Sequence, residues 1–236
     1  MSDPVHVPTE SPLETTAAPS RTGGGPRALL TARGVTKAYR QGGLLRRRLR
    51  PVLLDAAVTL YPGEVVGLVG ENGSGKSTFM KILVGSLARD GGTVTRNGSV
   101  GYCPQEPILY ERLTCDEHFE LFGRAYGMDP GAMERSRDEL YRVLDFTTYA
   151  QTRVEELSGG TRAKLNLGLA LLPDPDLLLL DEPYAGFDWD TYLRFWELTA
   201  RRRAAGRAVL VISHFVVDAE RFDRIVQLRN GRTVPA

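Results

Sequence analysis

Val65-Val66-Gly67-Leu68-Val69-Gly70-Glu71-Asn72-Gly73-Ser74-Gly75-Lys76-Ser77-Thr78-Phe79-Met80-Lys81-Ile82-Leu83 is the stretch that decides the fold. Its first five residues are a short apolar, β-branched run, and its last seven return apolar side chains at helical spacing. The glycines lie between the two. Gly70 to Ser77 fits G-x-x-x-x-G-K-[ST] in the strand–loop–helix context that this phosphate loop needs. Glycines let successive backbone N–H groups wrap a polyphosphate without a Cβ in the way, and the helix that follows points its positive end at the anion. Lys76 then supplies a cation for the β and γ oxygens, and the Ser77 hydroxyl is a ligand for Mg²⁺.

Further along, Leu177-Leu178-Leu179-Leu180 and Val209-Leu210-Val211-Ile212 are uniformly apolar, as strands of a parallel sheet covered on both faces must be. The helical pattern at 192–205 is the crossover between them. The first of these strands ends in Asp181-Glu182-Pro183, placing two carboxylates at the carboxyl edge of the sheet, where open α/β sheets bind ligands. Asp181 can complete a Mg²⁺ shell, and Glu182 is placed to orient and deprotonate a water that attacks the γ-phosphorus. Leu157-Ser158-Gly159-Gly160 precedes another helical run and exposes a hydroxyl and backbone N–H groups at a helix N-terminus, a second anion site that is also ordinary N-cap material.

Thr114 followed three residues on by Glu117 is a capping-box pattern ahead of Phe119, Leu121 and Phe122. Asp129-Pro130 interrupts that helix, and 132–146 reads as another. Leu29, Leu30 and Val35, then Val52-Leu53-Leu54 after an arginine-rich bend, read as a first strand pair. Asn230-Gly231 after Ile225-Val226-Gln227-Leu228 is a two-residue hairpin signal. Residues 1–27 mix Pro, Ser, Thr and Gly with few large apolar side chains and read as a disordered tail.

The 236 residues carry Lys+Arg 30 against Asp+Glu 29, a net charge of +1 that leaves no basic footprint for sustained nucleic-acid binding. Cys103 and Cys115, with three histidines in the chain, match no zinc spacing and suit a reducing compartment. No apolar run reaches the roughly 18 residues needed to span a bilayer, and a signal-peptide pattern is lacking.

In their order, Gly70 to Ser77, Gln105, Leu157-Ser158-Gly159-Gly160, Asp181-Glu182 and His214 resemble the nucleotide-binding subunit of an ATP-binding cassette (ABC) transporter, over about residues 28–236. Tyr102-Cys103-Pro104-Gln105 resembles the family's glutamine loop, Leu157 to Gly160 its signature, Ala185-Gly186-Phe187-Asp188 its aspartate loop and Ile212-Ser213-His214 its histidine switch. Gly101 to Gln105 with Leu113-Thr114 and Glu117-His118 is closer to cassettes of lipid, drug or polysaccharide exporters than to those of importers.

The resemblance implies an α/β phosphate-loop NTPase core with a small antiparallel β-subdomain and an inserted helical subdomain at about 106–158. It implies two cassettes, identical or related, closing head to tail over two molecules of ATP with Mg²⁺. Gly70, Asn72, Gly73, Ser74, Gly75, Lys76, Ser77 and Thr78 would bind the phosphates of one ATP, while Ser158, Gly159 and Gly160 face the γ-phosphate held by the other copy. His214 would contact that phosphate, Gln105 would touch Mg²⁺ and relay occupancy, and Asp188 would cross the interface. Tyr39 resembles the aromatic that stacks on adenine; a plain edge tyrosine is the other reading.

The chain would then act on a separate transmembrane permease at the cytoplasmic face of the membrane, and no nucleic acid is expected. The competing reading, a soluble regulatory or translation-associated ABC ATPase, lacks its usual second phosphate loop and basic linker. Three departures stand out: Thr161 where the signature usually carries Gln, Trp189 after Asp188 where Pro is common, and a short segment between Lys76 and Gln105. The arginines from Arg46 to Arg50 read as a solvated surface run.

Overall fold

The computed structural model describes residues 27–41, 48–213 and 216–235. The tail reading of 1–27, apart from Arg27, the start of the arginine run and His214 lie outside the described residues. Among those described, strands β1 (Leu30–Gln41), β2 (Arg48–Leu60), β3 (Val65–Val69), β4 (Gly91–Arg96), β5 (Val100–Cys103), β6 (Leu177–Asp181), β7 (Ala208–Ile212), β8 (Arg224–Arg229) and β9 (Arg232–Pro235) join in the order β4-β1-β2-β9-β8-β3-β7-β6-β5. From β8 to β5 every pairing is parallel, whereas β1 pairs antiparallel with both β2 and β4. The helices are α1 (Lys76–Val84), α2 (Cys115–Ala125), α3 (Pro130–Leu144), α4 (Gly159–Leu171) and α5 (Trp189–Ala204).

The unbroken leucine run of β6 is explained by its two faces. Leu177 and Leu179 join the core beneath α1 and the antiparallel strands, together with Leu30, Leu53, Phe79 and Leu210. Leu178 and Leu180 point the other way, into a core with Phe119, Leu165, Phe195 and Val211. A strand alternates its side chains, so a strand buried on both sides must be apolar at every position. The sheet is therefore a two-sided partition, and the residues just past its carboxyl edge are where polar chemistry can begin.

Local signals formed as their chemistry requires. Thr114 N–H donates to Glu117 Oε2 at 2.8 Å and Glu117 N–H to Thr114 Oγ1 at 3.2 Å, a complete capping box. Asn230 (φ 48°) and Gly231 (φ 71°) close the two-residue turn between β8 and β9. Two helix boundaries differ from the periodicity. The 132–146 helix spans Pro130–Leu144, because Asp129 accepts from Ala132 N–H and Pro130 fits the first turn, where a missing N–H costs nothing. The 192–205 helix starts at Trp189, because Asp188 is its N-cap and accepts from Thr191 N–H at 2.7 Å.

His118 is a packing residue. It is fully buried, its Nε2 accepts from Tyr110 N–H at 2.9 Å, and its Nδ1 lies 2.8 Å from the Thr114 carbonyl. Both cysteines are buried free thiols. Burial pushes the Cys103 thiol far up and that of Cys115 to about 11. Neither forms thiolate near neutrality, so iodoacetamide at pH 8 is expected to leave both unmodified in the native chain and to label both after unfolding, as mass spectrometry would show.

Candidate functional site

The phosphate loop closes over its own lysine. Lys76 Nζ donates to the carbonyls of Gly70 at 2.8 Å and Glu71 at 3.1 Å, so the ammonium holds the loop as a ring. Gly75 (φ 105°) makes the turn into α1: the left-handed backbone disfavours any side chain, and a Cβ there would sit 2.9 Å from Val52 Cγ1. No side chain caps the α1 N-terminus and its first turn has no acidic residue, which leaves its N–H groups for an anion. Burial lowers the Lys76 pKa, and the nearby carboxylates of Glu182 and Asp181 oppose that shift.

Asp181 ends β6 beneath this loop and is 2% exposed. Burial raises its pKa; a hydrogen bond from the Ser77 hydroxyl opposes the rise, and the Glu182 charge adds to it. Its Oδ1 is nevertheless buried without a hydrogen-bond partner, an expensive arrangement for a carboxylate in an apolar surround. A hydroxyl and an orphaned carboxylate oxygen side by side are hard oxygen donors, which fit Mg²⁺. Among the described residues no group of three or more His, Cys, Asp and Glu could hold a metal.

Glu182 follows with φ 52°, in the left-handed region that a non-glycine residue enters at a cost of roughly 1–2 kcal/mol. Its N–H donates to the Ile212 carbonyl at 3.2 Å, anchoring the kinked backbone to β7. The kink redirects the chain out of the sheet, and the Glu182 side chain lines a cavity of about 580 Å³.

Nine residues singled out in the sequence meet in that cavity: Asn72, Gly73, Gly75, Lys76, Ser77 and Thr78 of the loop and α1, with Tyr39, Gln105 and Glu182 from three other segments. Tyr39 is 39% exposed and its hydroxyl lies 3.4 Å from Thr78 Oγ1, so it stands at the cavity edge rather than in the core. Arg50 and Val52 complete the lining, and neither was legible in the sequence. Arg50 is exposed, as a solvated surface run requires, and it also pairs across the β1–β2 ladder with Tyr39, which puts the two side chains on one face. That register follows from irregularities in both strands of the β1–β2 ladder that no local pattern reveals.

Ser158, Gly159, Gly160 and Asp188 are gathered elsewhere, at the N-termini of α4 and α5. Ser158 Oγ accepts from Thr161 N–H at 3.2 Å and lies 2.9 Å from Thr161 Oγ1, so the departure at 161 is a hydroxyl held against the signature serine. The Gly160 backbone lies against Gly186, whose carbonyl oxygen would be 2.6 Å from any Cβ. Asp188 Oδ2 is 3.7 Å from Lys164 Nζ, and the Thr191 N–H bond holds the Asp188 carboxyl below its usual range. None of these residues lines the phosphate cavity of its own chain. Ser213, one residue before His214, is buried and accepts from the Tyr184 hydroxyl at 2.7 Å.

A family model described as "ABC transporter" matches residues 53–185. Nod factor export ATP-binding protein I of Mesorhizobium japonicum is 33% identical over 214 residues, 85% of this chain and 61% of that protein. Linearmycin resistance ATP-binding protein LnrL of Bacillus subtilis is 29% identical, over 87% of this chain and 68% of its own. A solved ATP-binding subunit of an ABC transporter superposes with a TM-score of 0.77 at 31% identity, covering 87% of this chain and 88% of the other. A bacterial ABC transporter cassette solved as a dimer has the same fold, with a TM-score of 0.78 at 24% identity. The chain spans between 61% and 64% of the length of the first three Nod factor export relatives. With the phosphate loop set between β3 and α1 in a mostly parallel sheet, and with the family model covering more than half of it, the chain belongs to the ABC transporter family.

Proposed function

We propose that this chain binds ATP with Mg²⁺, hydrolyses it, and powers transport, in the export direction, through a separate membrane subunit. The observation that carries the reading is the single cavity into which Tyr39, the phosphate loop, Gln105 and Glu182 converge from four distant parts of the chain. The loop N–H groups and the α1 N-terminus hold the phosphates, Lys76 sets a cation at the β and γ oxygens, and the Tyr39 ring takes the base. Ser77, Asp181 and Gln105 are the residues to hold Mg²⁺, which when bound neutralises charge developing on the transferred phosphoryl oxygens. Glu182 takes the proton of the attacking water.

Ser158, Gly160 and Asp188 lie away from their own chain's cavity, and this supports a second cassette whose ATP they complete. His214 follows β7 and would join that site. The energy available for transport is then the difference in inter-cassette contacts between the ATP-bound and ADP-bound states.

Among the described residues no helix is long and apolar enough to cross a membrane. A cavity of about 950 Å³ lined by Gln105, Ile108, Tyr110, Phe122 and Tyr126 adjoins Ser77 and Asp181. Ile108 is 77% exposed there, an apolar surface suited to a helix of the membrane subunit on the cytoplasmic face. The names of the relatives, Nod factor export and linearmycin resistance, favour export.

Steady-state hydrolysis at rising protein concentration tests the reading. The rate per chain is expected to require Mg²⁺ and to climb with protein concentration before levelling off, because the competent site needs two chains. A rate per chain independent of concentration would leave the composite site without support, and no hydrolysis alone or with a co-purified multi-span protein would remove the enzyme.

A further inference from the structure

The phosphate chemistry leaves one buried amide unexplained. Asn166 lies on α4, seven residues and two turns beyond Gly159, and is 8% exposed. A primary amide at such a place needs its donors satisfied. Its Nδ2 donates to the carbonyl of Pro104 at 2.8 Å and approaches Cys103 Sγ at 3.1 Å. Burial keeps Cys103 a thiol, and sulfur is a weak acceptor, so the Pro104 carbonyl is the stronger partner.

The address of that carbonyl matters. β5 is the last strand of the sheet and ends at Cys103, so the ladder stops there, Pro104 has no N–H to extend it, and Gln105 comes next. One turn beyond Asn166, α4 is in close contact with β5: a Cβ on Gly101 would lie 2.2 Å from the Ala170 carbonyl oxygen. The helix-to-strand distance is thereby set, and the amide reaches Pro104 from a fixed platform. One rigid helix presents Ser158, Gly159 and Gly160 at its start and grips the residue before Gln105 two turns later.

We propose that Asn166 is a positioning residue for Gln105, tying the backbone just before it to α4 so that displacement of the signature end of that helix is passed to the glutamine at the chain's own nucleotide. The inference rests on the reading of Gln105 as a Mg²⁺-contacting residue.

Its test is equilibrium binding of a fluorescent ATP analogue to the full-length chain, with Mg²⁺ and with EDTA, a readout that needs no turnover. Asn166→Leu keeps the branch at Cγ and removes the donor. It is expected to lose at least fivefold of the Mg²⁺ enhancement of binding while the affinity in EDTA stays within twofold. Gln105→Ala should lose the same enhancement, and the double variant should be no worse than Gln105→Ala alone, since both changes remove one interaction. If Gln105→Ala shifts Mg²⁺ dependence and Asn166→Leu does not, or if the two effects add, the tie is refuted while Gln105 keeps its role. An unaltered Gln105→Ala would instead bring down the reading of Gln105, and the inference with it. Should the leucine variant melt below the assay temperature, Asn166→Ser, smaller and still a donor, enters the same cycle; it is expected to retain part of the enhancement, and full retention of additivity would again refute the tie.

Discussion

Glu182→Gln is expected to lower ATP turnover by about 10²–10⁴-fold, the range for removing a positioned general base, while ATP binding survives. The side chain lines the nucleotide cavity beside Lys76, and its placement depends on a backbone bend that the amide variant keeps, because φ 52° strains Gln as much as Glu. What changes is charge and basicity. Losing a negative charge near the phosphates also removes a repulsion, so ATP affinity should be unchanged or improved, and the variant should accumulate as an ATP-held dimer. Size-exclusion chromatography with light scattering, in ATP and in ADP, reads the second effect, and a phosphate-release assay the first. Turnover within threefold of wild type would take the base role from Glu182.

Asp181→Asn is expected to abolish Mg²⁺-dependent turnover and yet to give a more stable fold at neutral pH. Asp181 is 2% exposed with Oδ1 orphaned, and burial raises its pKa. A carboxyl whose folded pKa lies above its unfolded one favours the folded state while protonated, so that stability is present in acid and is lost as pH rises through the folded pKa. Asparagine is neutral throughout. The variant's advantage should therefore vanish near pH 3 and reach its full size above the folded pKa of the wild-type carboxyl, at about 1 kcal/mol or roughly 2–4 °C in Tm without Mg²⁺. Mg²⁺ with nucleotide should narrow the gap, because it stabilises only the wild-type carboxylate. Thermal melts at three pH values, with and without Mg²⁺-nucleotide, check both signs. An Asn variant less stable than wild type at pH 7 would show that Ser77 and Lys76 already more than offset the burial of the charge.

The exposed or local features were the legible ones. Thr114 and Glu117, or Asn230 and Gly231, satisfy their own backbones within a few residues, so their residue types announce them. Helix starts at Pro130 and Trp189 were misread by two or three residues because a capping aspartate precedes each, and the apolar period does not extend to the cap. Arg50 was beyond reach, since its role depends on which residue of β1 it faces. Asn166 is no more visible, being one amide within the apolar stretch of α4 from Leu165 to Leu171.

The sequence by itself determined the phosphate loop, the carboxylates at the end of β6, the two-sided burial of the parallel strands and the family resemblance. Each of these is a run of neighbouring residues whose spacing is its own chemistry. Only the tertiary structure decided that Tyr39 and Arg50 share a face, that Gln105 and Glu182 meet the loop in one cavity while Ser158 and Asp188 do not, that Asp181 is left with an orphaned oxygen, and that α4 holds the chain at Pro104. The reason is physical: these are contacts between segments tens of residues apart, set by strand order, register and helix packing, and no local pattern carries the distance between them.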